Sequence, residues 1–531
     1  MTKDRIYLFD TTLRDGAQTT GVDFSLHDKH HVAKMLDALG IDYIEGGYPG
    51  ANPVDTALFT TPPTLKAKFT AFGMTRKVGV STSNDPGLAG LFSAKADAIC
   101  FVAKAWDYHV RVALGCTLNE NLEAVKDSIE AAIVHKFEAM LDCEHFFDGY
   151  KANPEYALSV AKTAYEAGAR WVVLCDTNGG TLPHEIERIV AEVAAILPGS
   201  HLGIHAHDDT GNAVANSLMA VRAGVRQIQG TLNGLGERCG NANLVTLIPT
   251  LKLKSDFADM FDISVSMEAL ATLTQNSRSF DEILNRQPRR QAPYVGAAAF
   301  ATKAGIHASA IAKEPQTYEH IPPQSVGNAR HVLVSTQAGK SNILVELERL
   351  GIVVSKDDPK LSRLLEIVKD KEASGYAYEG ADASFYLLAQ TVLGVVPDYF
   401  KVERFKVNVE RRYNANGDLV TFSEATVKVL VDGELLISAA EGDGPVNALD
   451  QALRKDLGRY QKHISGLKLT DFKVRIFEGG TEAVTRVMVE SSDETGMSWT
   501  TVGVSPNIID ASFQALTDSI IYKLMRDGAK A

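Results

Sequence analysis

The sequence predicts an α/β chain in three parts: a TIM-type (β/α)8 barrel, a mostly helical linker region, and a C-terminal α+β module with an internal ββα repeat. Three observations predict it. Short apolar runs alternate with amphipathic stretches through roughly the first 250 residues, the size of one such barrel. Polar residues collect where those runs end. Two segments near the C-terminus share one order of strand-like runs followed by a proline-marked helix.

The candidate strands are IYLFDTT (6–12), IDYIEGG (41–47), KFTAFG (68–73), AICFVAK (98–104), EAMLDCEHF (138–146), WVVLCDT (171–177), HLGIHAH (201–207) and RQIQGTLNG (226–234). Helical stretches lie between them, such as NLEAVKDSIEAAIVHKF and PEYALSVAKTAYEAGA, the second with proline at its start and glycine near its end. A barrel places its chemistry at the carboxyl ends of its strands. Arg14, Asp15, Glu45, Lys104, Glu144, Asp176, Thr177, His205, His207 and Asn233 all fall there. An open doubly wound sheet would gather polar residues at the same ends, so this ordering supports a parallel sheet; strand count and length favour the barrel.

Composition narrows the function class. The chain has 531 residues, 45% hydrophobic and 23% charged, which excludes disorder and exceeds what one core usually supports. A net charge of −12 excludes a general nucleic-acid backbone binder. No run reaches the roughly 20 apolar residues that cross a bilayer, and MTKDRIYLFD has no hydrophobic signal core. Five cysteines without CxxC spacing fit neither a disulfide framework nor a zinc knuckle, so a cytoplasmic location is expected.

His205 and His207 are two apart on a strand and share a face, which in a barrel is the interior. They are either packed core histidines or two ligands of one divalent ion. The surrounding IHAHDDTGNAVAN is polar where the strand reaches the mouth, and Asp15 and Asn241 could add oxygen donors from other strand ends. Such a mixed set suits manganese, zinc or magnesium acting as a Lewis acid. Arg14 is either a rim ion-pair partner or, beside a metal, the donor fork that stabilises an oxyanion on a carbonyl oxygen. Glu144 is a base, or a partner for Lys104 or Arg14. NGLGERCGNAN (233–243) misses the dinucleotide fingerprint, so NAD binding is not expected; its backbone amides could line a phosphate or thioester.

DTTLRDGAQ (10–18), IHAHDD (204–209) and LNGLGERCGNANL (232–244) resemble the signature segments of the 2-isopropylmalate, homocitrate and citramalate synthase family. The resemblance runs from Asp10 to the C-terminus, through GDGPVNALD (442–450) and TVGVSPNIIDASFQAL (501–516). It implies a homodimeric enzyme that condenses acetyl-CoA with a 2-oxo acid, using a divalent metal. By matching position it assigns the metal to Asp15, His205 and His207 with Asn241 close by, and the keto oxygen to Arg14. Thr177 would hold the substrate carboxylate and Glu144 is the strand 5 glutamate, although its neighbours differ from the isopropylmalate pattern. His307 and Tyr318 match residues that the segment after the barrel sends over the active site. EGGYPGANP (45–53) and FVAKAWDYHV (101–110) look most like the long citramalate synthases, whose 2-oxo acid is pyruvate and whose product leads to isoleucine through 2-oxobutanoate. Trp106, Tyr108 and His109 could narrow the pocket to a methyl group, or equally pack a helix. The rivals are a 2-isopropylmalate synthase and a metal-dependent hydroxyacyl-CoA lyase.

The expected domains are a catalytic barrel over 1–275, helical linker subdomains over 276–395 and a regulatory or dimerisation domain over 396–531. The linker is interrupted at RQPRRQAPYVG and YEHIPPQSVGN. The repeat consists of 425–457 and 483–524, each read as two strands and a helix. The resemblance makes this module a site for an amino-acid effector, isoleucine being the logical one for a citramalate-forming enzyme.

Overall fold

Eight parallel strands close on themselves in the computed structural model, which describes residues 3–302, 305–311, 313–332, 340–378, 380–477 and 483–531. They are β1 (Tyr7–Asp10), β2 (Tyr43–Gly47), β3 (Lys68–Met74), β4 (Ala98–Lys104), β5 (Glu138–Glu144), β6 (Trp171–Asp176), β7 (Leu202–Ala206) and β8 (Gln227–Gly230). Closure comes from β1 lying parallel to β8, with Tyr7 opposite Gln227 and Asp10 opposite Gly230. The barrel expectation and all eight runs are therefore found. The first run stops at Asp10, two residues early, because the Asp10 carboxylate accepts from the Thr12 N–H at 2.9 Å and the Thr12 hydroxyl at 2.7 Å and turns the chain.

Strand alternation sorts the barrel interior into layers. Phe9, Tyr43, Cys100, Met140, Trp171, Val173 and Cys175 fill it with apolar volume. The same inward series then turns polar toward the carboxyl ends, through Glu45, Asp142, His205 and Gln229, all buried. Gly203 on β7 has no room for a side chain, since a Cβ there would stand 2.6 Å from Gln227 Oε1. Helices cover the outside. Among them α1 (Leu26–Leu39) starts at a capping box in which Ser25 accepts from the Asp28 N–H at 3.2 Å, and ends at Gly40, whose φ of 97° suits glycine. α2 (Pro53–Thr60) begins with proline at its first turn behind the Asn52 cap.

By contact the chain divides into two compact units, 1–300 with 320–330, and 301–319 with 331–531. In the second unit the helices Lys340–Arg349, Pro359–Ala373 and α3 (Asp382–Leu393) bury Ile343, Leu347, Leu361, Leu364, Val368 and Phe385 together. The C-terminal module differs from the expected ββα halves, because each sheet has three strands. β9 (Lys401–Tyr413), β10 (Leu419–Val431) and β11 (Glu434–Gly442) precede α4 (Pro445–Lys455); β12 (Lys468–Phe477), β13 (Val484–Ser492) and β14 (Ser498–Ser505) precede α5 (Ile508–Arg526). The repeat is thus βββα. β9 and β12 are edge strands with one neighbour each, and their charged residues blur the alternation that marks the inner strands. α5 lies so close on its sheet that a Cβ on Gly503 would overlap the Ala511 carbonyl. No helix among the described residues is long and apolar enough to cross a membrane.

Asp518 on α5 carries a testable consequence. Its Oδ2 accepts from the Ser384 hydroxyl of α3 at 3.2 Å, and that hydroxyl accepts from the Val502 N–H at 2.9 Å. Burial pushes the Asp518 carboxyl up to about 6, with the Ser384 bond pulling the other way. A raised folded-state value means that its stabilising contribution is complete below about pH 4 and is lost as pH rises through 6. Asp518→Asn is expected to stabilise the second unit at pH 7.5, on the order of 2 kcal/mol, and to change little near pH 4. Calorimetric unfolding at the two pH values checks this; no gain at pH 7.5 overturns it.

Candidate active site

The turn after β1 is built by its threonines. Thr11 carbonyl oxygen accepts from the N–H groups of Arg14, Asp15 and Gly16 at 3.2, 2.9 and 3.1 Å, which folds the segment back over the barrel mouth. Thr11 hydroxyl donates to Glu45 Oε2 at 2.5 Å, and Thr12 hydroxyl accepts from the Leu232 N–H at 2.8 Å. Gly16 lies close under Leu235: a Cβ there would stand 3.3 Å from the end of that side chain.

Arg14 and Asp15 leave this turn in different directions. Arg14 Nε donates to Glu45 Oε2 at 2.7 Å, its NH1 stands 3.6 Å from Asp15 Oδ1, and its guanidinium lies 3.9 Å over the Phe72 ring. Burial opposes the charge on Arg14, but Glu45 and Asp15 more than offset this and hold its proton. Asp15 Oδ2 is 3.2 Å from His205 Nε2 and 3.9 Å from His207 Nε2, and the two imidazole nitrogens are 3.2 Å apart. Burial works against the charge on Asp15 too, yet Arg14 and His205 outweigh it and hold the carboxyl far below the ordinary range. His207 is pushed down to about 3 by burial and by His205, so it is neutral at physiological pH.

A layer behind these groups fixes their orientation. His205 Nδ1 meets Gln229 Oε1 at 2.9 Å, and Gln229 Nε2 donates to Asp142 Oδ1 at 2.9 Å. An amide oxygen only accepts, so Nδ1 carries the proton and Nε2 is turned toward Asp15 and His207. Asn241 pairs with His207 across a β-bridge, and its Nδ2 donates to Asp15 Oδ2 at 3.2 Å and to the Leu235 carbonyl at 3.1 Å. Its oxygen is buried without a hydrogen-bond partner. The glycines of NGLGERCGNAN shape this loop, because a Cβ on Gly236 would run into the Asn241 amide, and Gly240 has a φ of 98°.

The Asp15, His205 and His207 donors fit a single divalent ion. One donor atom from each lies within 4.8 Å of the other two, and all three residues are buried. Two donors bound at about 2.1 Å to one ion, roughly 90–109° apart, would stand about 3.0–3.4 Å from each other. The two 3.2 Å separations fall in that range, and the 3.9 Å between Asp15 and His207 is wider than it. Asn241, expected as a fourth ligand, presents its nitrogen to Asp15 and has its oxygen free of protein partners.

Of the other expected residues, Glu144 and Thr177 stand at the carboxyl ends of barrel strands, and His307 and Tyr318 belong to the second unit. Glu144 is ion-paired with Lys104, and Arg14 takes Glu45 instead. Thr177 hydroxyl accepts from the His145 N–H at 2.8 Å, which leaves its own proton to donate. His307 and Tyr318 lie in the second unit and stack on each other, ring centroids 4.3 Å apart. Trp106 stacks on His109 at 5.0 Å, and His109 reaches His145 at 4.1 Å; Tyr108 is largely exposed.

Several contributors were not singled out in the sequence: Gln229, Asp142, Arg238 and His145. Arg238 pairs with Asp209 at 2.9 Å and donates to the Thr177 carbonyl at 2.7 Å. His145 has a φ of 56°, a left-handed conformation uncommon for a residue with a side chain, immediately after Glu144. The period-two polar positions Asp142 and Glu144 on β5, and Gln227 and Gln229 on β8, were the available signal for the inner layer.

Comparison with known proteins places this geometry. The model for HMGL-like proteins matches residues 5–275, that for the homocitrate synthase post-HMGL domain 294–374, and that for the LeuA allosteric (dimerisation) domain 379–524. The (R)-citramalate synthase of Aquifex aeolicus is 47% identical over 529 residues, covering 99% of this chain and 98% of that protein. The (R)-citramalate synthase of Synechocystis is 47% identical over 534 residues, covering 98% and 96%. A Methanopyrus kandleri protein named "Probable 2-isopropylmalate synthase" is 32% identical over 97% of this chain and 98% of its own length. With an HMGL-like barrel, and with identity of this order along the whole of both chains, this chain belongs to the (R)-citramalate synthase family.

Proposed function

We propose that the protein condenses acetyl-CoA with pyruvate and hydrolyses the thioester, giving (R)-citramalate and coenzyme A. The observation that carries this is the convergence of Arg14 on the Asp15, His205 and His207 group, in a chain 47% identical end to end to an (R)-citramalate synthase. Asp15, His205 and His207 hold a divalent ion, manganese, zinc or magnesium, with Asn241 orienting Asp15. When bound, the ion supplies Lewis-acid polarisation of the 2-oxo acid.

Thr177 donates its hydroxyl proton to the pyruvate carboxylate. Glu144, paired with Lys104, takes a proton from the acetyl methyl group. The carbon that loses it bonds to the keto carbon of pyruvate, and Arg14 stabilises the negative charge that develops on the keto oxygen. Water then cleaves the thioester, releasing coenzyme A as a thiol, a step to which the family resemblance assigns His307 and Tyr318. The Trp106, His109 and His145 rings narrow the pocket to a methyl group; one extra methylene there is worth about 1–3 kcal/mol of discrimination.

Incubating the protein with acetyl-CoA and a panel of 2-oxo acids while following thiol release tests this. Pyruvate is the expected preferred acceptor. Preference for 2-oxoisovalerate overturns it in favour of isopropylmalate synthesis, and cleavage of a hydroxyacyl-CoA without condensation in favour of a lyase.

The protein acts as a homodimer through its C-terminal module. Support comes from the match to a dimerisation domain and from apolar residues left exposed on the sheets, including Val409, Leu435, Ile437, Val474 and Ile476. Isoleucine bound by this module lowers activity by favouring one of two states of the enzyme. Titrating the intact enzyme with isoleucine and leucine tests the effector; indifference to both overturns it. Five free cysteines suit the reducing cytoplasm.

A further inference from the structure

We propose that Lys29 is a positioning residue for the Arg14–Glu45 pair: its ammonium ties down the backbone next to each member and so sets where the guanidinium points. The proposal rests on the reading that Arg14 meets the keto oxygen. Lys29 lies on α1 and is 4% exposed. An ammonium has three donors, and the three acceptors around this one are the Leu13 carbonyl at 2.8 Å, the Gly46 carbonyl at 2.9 Å and the Asp55 carboxylate. Leu13 directly precedes Arg14, and Gly46 directly follows Glu45. One buried cation therefore joins the chain behind the arginine to the chain behind its carboxylate partner.

Asp55 on α2 completes the clamp. Its second oxygen accepts from the Tyr48 N–H at 2.9 Å, which fastens the loop after β2 to the same point. Gly47, with a φ of 146°, has no room for a side chain, because a Cβ there would run into this carboxylate. Removing a lysine and an aspartate from water costs several kcal/mol per ion, and an apolar pair of similar volume would pack this position at least as well. What the apolar pair would lack is the grip on two carbonyls flanking Arg14 and Glu45, whose own contact is 2.7 Å. Displacement of a catalytic group by about 1 Å is enough to lower a rate by about 10².

A double-mutant cycle in the full-length protein tests this. Lys29→Met and Glu45→Gln are each expected to lower kcat at least about tenfold while the KM for pyruvate moves less than about threefold. The double variant should be no slower than the slower single one, because both act through the same pair. Multiplying losses would overturn the proposal and leave Lys29 a general stabiliser. Lys29→Met/Asp55→Leu covers the case in which the single variant does not fold: it removes the tie but leaves no unpaired buried charge. That variant should unfold within a few degrees of wild type and still lose kcat about tenfold. Wild-type kcat in it would overturn the proposal. A wild-type protein that releases no coenzyme A with any 2-oxo acid would instead overturn the functional reading beneath it.

Discussion

Asp15→Asn is expected to lower turnover by at least about 10³ while the far-ultraviolet circular dichroism stays that of wild type. Asp15 is the only carboxylate in the donor group, and its far-depressed pKa keeps it ionised throughout the working range. An amide would keep the shape and lose the charge that balances a divalent ion against Arg14. The fold should survive, because Arg14 retains Glu45 at 2.7 Å and His205 retains Gln229 at 2.9 Å. Some acid-sensitive stability will go with the carboxylate. A depressed folded-state pKa stabilises above about pH 4 and loses that contribution as pH falls, so the variant should show less loss on acidification than wild type. His207→Ala should fail in parallel, since His207 is neutral at physiological pH and offers its nitrogen without a competing proton. Calorimetric titration with Mn²⁺ should show affinity at least about 100-fold weaker for both variants. Near-normal turnover of either, or of wild type in chelator-treated buffer, would overturn the metal role.

What was legible in the sequence follows from how each contact is made. Barrel strands announce themselves because parallel strands are buried on both faces and read as apolar runs, and their mouths announce themselves because the runs end in charge. Asp15, His205 and His207 could be grouped across nearly the whole barrel, since β1 closes on β8 and β7 lies beside β8. Lys29 could not be read this way. Nothing in the spacing of residues 13, 29, 46 and 55 says that they meet, and a lysine on an amphipathic helix reads as a solvated charge. Gln229 and Asp142 are hidden for a related reason, since one polar residue within an apolar strand looks like a break in pattern until its partner is known. β9 and β12 went unread because charged residues crowd both, as in KVERFKVNVERRY and KLTDFKVRIF, and interrupt the apolar alternation.

Arg14→Lys should lower kcat by about 10²–10³, with a much smaller change in the KM for pyruvate. Arg14 performs three tasks with one planar group: Nε is committed to Glu45 at 2.7 Å, the face rests 3.9 Å over Phe72, and the remaining N–H donors lie on the side where Asp15 is 3.6 Å away. A lysine ammonium is a compact point charge with no flat face. If it satisfies Glu45 it withdraws from the keto oxygen, and if it reaches forward it leaves Glu45 buried with one partner fewer. Charge on the keto oxygen grows mainly as the new carbon–carbon bond forms, so the deficit belongs to turnover more than to binding. The unfolding midpoint should move little, because either cation neutralises Glu45. The pH profile separates loss of geometry from loss of charge. A guanidinium does not titrate in the accessible range, whereas a buried lysine does, so the residual activity of the variant should fall between about pH 8 and 10 where wild type shows no such step. A lysine variant with more than about a third of wild-type kcat would mean that a positive charge alone suffices, and that the fork shared between Glu45 and the substrate is not what the turn after β1 was built to hold.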